Sequence, residues 1–75
     1  MPNLSTRKAK ILKSIVEDYI NQAEPISSSD IKLRHLPEFS SATIRNELSA
    51  LEEMGYLYQP HTSSGRVPTK EAYKL

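Results

Sequence analysis

The sequence predicts a mainly α-helical domain, a three-helix bundle closed by a small antiparallel β-hairpin. Apolar residues recur at helical spacing in two long segments and one short one. Gly55 sits where the strongest of these helices must stop. A β-prone run, Tyr56-Leu57-Tyr58-Gln59, then enters the turn-rich segment Thr62-Ser63-Ser64-Gly65 and returns as Arg66-Val67-Pro68.

From Thr6 to Asn21, Ala9, Leu12, Ile15, Val16, Tyr19 and Ile20 trace one helical stripe, which is expected in the core. Ser5 is placed to cap its N-terminus, and Pro25 to close the segment, because a residue before proline avoids helical angles. Ile26-Ser27-Ser28-Ser29-Asp30 offers capping hydroxyls for a short helix to about Leu36, with Ile31 and either Leu33 or Leu36 inward. Pro37-Glu38-Phe39 is a turn, and Phe39, just before a cap at Ser40, is placed to pack on Ile44 as a hydrophobic staple. The third helix runs from Ser41 to Met54 with Ile44, Leu48, Leu51 and Met54 inward, and Gly55 ends it in the left-handed region. After the hairpin, Thr69 is placed as the N-cap of Lys70-Glu71-Ala72-Tyr73. The segment at Ile26 supplies a third strand. Helices followed by a hairpin in this order make a winged helix-turn-helix. A bare bundle with a loose tail would leave Tyr56, Leu57 and Tyr58 unexplained.

Seventy-five residues form one small domain, spanning 1–75. The helical pattern breaks off at Leu75, which reads as a fragment of a longer protein. The absence of cysteine leaves no disulfide framework and no thiolate metal site. His35 and His61 are the only histidines, so neither a metal nor another cofactor is expected. No apolar run is long enough to span a bilayer and no leader segment is visible, so a cytoplasmic protein without a membrane partner is expected. The serines are accounted for by caps and turns, and no phosphate loop or nucleophile constellation is present, so an enzyme is not expected.

The net charge is only +1, so distribution matters more than the sum. Arg7, Lys8, Lys10 and Lys13 gather in the first helix with no acid among them, while acids dominate the middle of the chain.

With Ile44, Leu48 and Leu51 inward, the opposite side of the third helix carries Ala42, Arg45, Asn46, Ser49 and Glu53, with Ser41 near its edge. Arg45 can donate twice to guanine O6 and N7, Asn46 can pair with adenine N6 and N7, and Ala42 can touch a thymine methyl. Ser40 and Ser41 lie at the helix N-terminus, which favours a phosphate, and Thr43 belongs to the same stretch. Glu52 and Glu53 point away if the N-terminal half enters a groove. In the hairpin, His61, Thr62, Ser63, Ser64, Gly65 and Arg66 form a tip. Its hydroxyls suit phosphate oxygens, Gly65 permits a positive φ, and Arg66 is expected to reach phosphate or a narrow minor groove. Arg7, Lys10, Ser28 and Ser29 are further candidate phosphate contacts. Double-stranded DNA is therefore the expected partner. The low net charge and the several acids leave an alternative, a winged-helix protein-interaction module without specific DNA readout.

Several segments carry a family resemblance. They are Glu24-Pro25-Ile26, Leu36-Pro37, Ser40-Ser41-Ala42-Thr43-Ile44-Arg45-Asn46-Glu47, Leu51-Glu52-Glu53-Met54-Gly55-Tyr56-Leu57 and Gln59-Pro60-His61-Thr62-Ser63-Ser64-Gly65-Arg66-Val67-Pro68-Thr69. Together they resemble the N-terminal domain of the HrcA family of bacterial heat-inducible transcription repressors, over about Leu4 to Tyr73. The resemblance implies a cytoplasmic, nucleoid-associated repressor. It implies binding as a homodimer to CIRCE, an inverted repeat ahead of chaperone operons, with repression lost on heat shock. It also implies maintenance by the GroE chaperonin and a dimerisation region beyond this chain. Ser27, Ser41 and Ser64 stand where the family pattern has glycine, proline and alanine.

Overall fold

The computed structural model describes residues 4–61 and 63–74. Its elements run α1 (Thr6–Gln22), α2 (Ser28–Arg34), α3 (Ser41–Glu53), β1 (Leu57–Tyr58), β2 (Val67–Pro68) and α4 (Lys70–Tyr73). Three helices, a hairpin wing and a last helical turn match the expected order.

Serine hydroxyls start the three main helices. Ser5 accepts the Lys8 N–H, Ser27 the Asp30 N–H and Ser40 the Thr43 N–H, each at 3.1 Å. The end of α1 departs from expectation. The helix reaches Gln22, and Ala23 closes it in the left-handed region at φ 55°, donating to the Tyr19 carbonyl. The chain has therefore left the helix before Pro25 can act. Helix α2 stops at Arg34, two residues short of the expected end, with His35 as its cap. Helix α3 ends in a Schellman motif: the Tyr56 N–H returns to the Leu51 carbonyl and the Gly55 N–H to that of Glu52. Gly55 takes φ 88°, as the sequence requires of it.

The core is one cluster. Ile11, Leu12 and Ile15 of α1, Ile31 and Leu36 around α2, and Ile44, Leu48 and Leu51 of α3 are buried together with Ile26, Tyr56, Leu57 and Ala72. The predicted α1 stripe is partly wrong. Ile11, absent from it, is fully buried, whereas Ala9 is exposed and Ile20 is 66% exposed. At 100° per residue Ala9 and Ile20 lie about 120° and 140° around the helix from Ile15, outside the face α3 can cover. On α2 the inward partner of Ile31 is Leu36, and Leu33 is 78% exposed. Met54, expected inward, is 39% exposed, because α3 ends at Glu53 and Met54 serves only as its C-terminal cap. Phe39 is half-buried against the cluster that contains Ile44, which agrees with its position as a staple.

The wing is an antiparallel pair, Leu57 opposite Pro68 and Tyr58 opposite Val67. Tyr56 and Gln59 lie outside the paired segment. The third strand reduces to one bridge, in which Ile26 and Arg66 exchange both backbone hydrogen bonds at 2.9 and 2.8 Å. Thr69 occupies the N-cap position of α4 without capping it, since its hydroxyl donates to the Gly55 carbonyl at 2.6 Å. Gly65 does not take a positive φ, contrary to expectation. Its requirement is space: a Cβ there would stand 2.8 Å from Pro25 Cβ and 3.0 Å from the Pro25 carbonyl carbon.

That contact is with backbone and a rigid ring, so Gly65→Ala must displace either the wing or the Pro25-Ile26 segment. We expect a loss of about 1–3 kcal/mol, the usual range for overpacking. Thermal unfolding should register it as a Tm lower by roughly 4–8 °C per kcal/mol, and an unchanged Tm would show that the contact yields freely.

Candidate nucleic-acid interface

The start of α3 is fixed by its surroundings. Lys32 reaches from α2 to the carbonyls of Phe39, at 2.6 Å, and Pro37, at 3.2 Å, and so wraps the turn before the cap. Ser40 accepts from the backbone of Thr43 and donates its hydroxyl to Thr43 Oγ1 at 2.9 Å, which leaves Thr43 half-buried and occupied by the cap. Beyond this cap, Ser41, Ala42, Arg45, Asn46 and Ser49 are exposed, as the helical phase predicted. Neither Arg45 nor Asn46 has a side-chain hydrogen bond or an ion pair among the described residues.

The wing tip packs on itself. Gly65 N–H donates to Ser63 Oγ at 3.0 Å, Ser63 N–H to the Pro60 carbonyl at 3.1 Å, and Gln59 Nε2 to the Ser63 carbonyl at 3.3 Å. His61 and Ser64 are exposed. Thr62 lies outside the described residues. Arg66 is not free at the tip. Its Nε donates to Glu52 Oε1 at 2.5 Å and its Nη1 to the Ser64 carbonyl at 2.8 Å.

The basic residues of α1 are engaged elsewhere. Arg7 Nε and Lys8 Nζ both meet the buried Glu47 carboxylate, at 2.6 and 2.9 Å, and the Arg7 guanidinium also lies over the Phe39 ring at 5.8 Å. Glu47 sits on the far side of α3 from Arg45. Lys10 faces Glu38 at 3.7 Å. Burial alone would favour the neutral form of Glu47. The hydrogen bonds from Arg7 and Lys8, and the charge of both, outweigh it and hold the carboxyl below its ordinary 4.5. His35 Nε2 similarly lies 3.1 Å from both oxygens of the buried Asp18.

Of the candidate residues, the fold brings Ser28 and Ser29 of α2, Arg45 of α3, and Ser64 and Arg66 of the wing to one open cleft of about 320 Å³. It does not bring Arg7 or Lys10 there. Sequence reasoning missed Glu47 and Lys32, and it read Glu52 only as an acid pointing away, without its pairing to Arg66. A signal for Glu47 existed: a run of α1 cations without local acids needs a counterion, and Glu47 lies one residue from the inward Leu48.

A core-anchored helix with an exposed Arg-Asn face, flanked by a hairpin wing, defines a winged helix-turn-helix DNA-binding domain. Residues 3–75 match the family described as winged helix-turn-helix transcription repressor, HrcA DNA-binding. The chain belongs to that family. It is 60% identical over 72 residues to the heat-inducible transcription repressor HrcA of Clostridioides difficile, covering 96% of this chain and 21% of that protein. Against the protein of the same description from Geobacter sulfurreducens it is 53% identical, over 100% of this chain and 22% of the relative. A crystal structure of a hypothetical protein superposes with a TM-score of 0.90 at 48% identity, covering 95% of this chain and 23% of that one. The chain thus spans about a fifth of the length of the relatives it matches.

The Glu47 pairing carries a pH dependence. Its folded value lies below the unfolded one, so its contribution is complete above pH 4.5 and is lost as pH falls through the folded value. Glu47→Gln should lower the Tm near neutrality, and the gap to the parent protein should shrink in melts taken below pH 4.5. A gap that stays constant with pH would mean that the carboxylate charge is not what ties α1 to α3.

Proposed function

We propose that this domain reads one half of an inverted-repeat operator of the CIRCE type and represses transcription of heat-shock operons as part of a dimeric repressor. Helix α3 enters the major groove by its N-terminal half. Arg45 and Asn46 face base edges, with Ser41, Ala42 and Ser49 beside them. Ser40, Ser28 and Ser29 approach the phosphate backbone, and His61, Thr62, Ser63 and Ser64 present the wing to backbone or minor groove. Arg7 and Lys10, already matched by acids, are left out of this contact set. The observation that carries the reading is the exposed face of α3, where Arg45 and Asn46 are unpaired among the described residues while Ile44, Leu48 and Leu51 anchor the reverse side. The relatives' description as heat-inducible transcription repressors supports the biological setting. The dimer, the maintenance by GroE and the cytoplasmic, nucleoid-associated location belong to the same proposal for the longer protein.

The test is fluorescence anisotropy of this domain with a duplex carrying the inverted repeat and with a scrambled duplex, across salt concentrations. Tighter, salt-sensitive binding to the repeat is expected. Binding to neither would favour the protein-interaction module. On the specific duplex Arg45→Ala should cost about 1–3 kcal/mol and relax base preference where Arg45 docks. Unchanged discrimination would remove Arg45 from the readout.

A further inference from the structure

Among the described residues, the ion pair that joins the recognition helix to the wing is Glu52 with Arg66. Glu52 lies two turns after Arg45, within about 20° of it around the helix, so its carboxylate lies along the same stripe. Arg66 lines the cleft with Arg45, yet it is held at four points. Its backbone exchanges two hydrogen bonds with Ile26, its Nε meets Glu52 and its Nη1 meets the Ser64 carbonyl. The arginine side chain is only 15% exposed and the glutamate 30%.

We propose that Glu52 and Arg66 are positioning residues for DNA binding rather than a bystander and a phosphate ligand. The pair fixes the wing against the C-terminal half of α3, so that wing and helix approach a duplex as one body. It also neutralises a carboxylate that would otherwise repel phosphate from the stripe that carries Arg45. The locking part stands on the free domain. The part concerning DNA rests on the function proposed above.

The distinguishing signature is rescue. Removing Arg66 alone exposes the Glu52 charge, whereas removing both charges leaves the net charge unchanged. In anisotropy titrations across salt, Arg66→Gln should weaken binding to the inverted repeat by roughly tenfold. The double variant Arg66→Gln/Glu52→Gln should bind within about threefold of the parent, with the parent's salt slope. A direct phosphate contact predicts instead no recovery and a slope smaller by about 0.9 in the double variant. Recovery of less than half of the logarithmic loss overturns the electrostatic part. Thermal melts of the free domain serve as the DNA-independent readout. Each single substitution should lower the Tm, and the double should lower it by less than the sum. Additive losses overturn the lock. Should the parent bind no duplex, the proposed function falls while the melts still decide the lock.

Discussion

One helix has to anchor the core on one side while keeping a polar Arg-Asn face exposed on the other, and the rest of the fold follows from that constraint. A chain of 75 residues has room for a single apolar cluster. Helix α3 gives Ile44, Leu48 and Leu51 to it, all essentially without solvent exposure. Each such burial stabilises by about 1.5–3 kcal/mol, so the phase of α3 cannot slip without loss of the core. The same phase fixes Arg45 and Asn46 outward. Helices α1 and α2 pack on the inner side, Lys32 and the Ser40 cap set the entry of the chain, and the Schellman turn at Gly55 sets its exit toward the wing.

The electrostatics follow the same division. The sequence places four cations in the first helix, and the natural reading is a basic surface. The fold spends two of them on Glu47 and one on Glu38, away from the exposed face of α3. A buried carboxylate between two cations costs desolvation, so it adds less to stability than its geometry suggests, but losing one partner leaves a charge without compensation. Its use is orientation: the first turn of α1 is registered against the middle of α3. Arg66 is treated likewise by Glu52. On α3 itself, Arg45 stays without an acid partner among the described residues, on the exposed face.

Much of this was legible in the sequence because it is local. Caps at Ser5 and Ser40, the apolar phase of α3, the stop at Gly55 and the turn before Arg66 depend on neighbours within a few residues. The failures are tertiary. Ile11 replaces Ala9 and Ile20 in the core because the face of α1 is chosen by what α3 and the wing can cover, which periodicity alone does not fix. Between Leu33 and Leu36, which the pattern left open, Leu36 turns inward, since Leu33 lies about 200° around α2 from the buried Ile31. Gly65 is required by Pro25, forty residues away, and not by its own φ. The exposed α3 face was readable in full, whereas the pairing of Arg7, Lys10 and Arg66 with acids far along the chain was not.

The wing shows why such distant contacts matter. A pair of two-residue strands has almost no stability of its own. Here it is secured on every side. Ile26 bridges Arg66, Thr69 binds Gly55 and Tyr56, Glu52 holds the Arg66 side chain, and Pro25 packs where Gly65 lacks a Cβ. Fixing one residue's backbone costs about 1–2 kcal/mol, and a loop ordered only on binding would subtract that from its affinity residue by residue. A wing whose base is already ordered avoids most of that cost. The placement of the wing base against α3 is thus set in advance by the core and by these contacts.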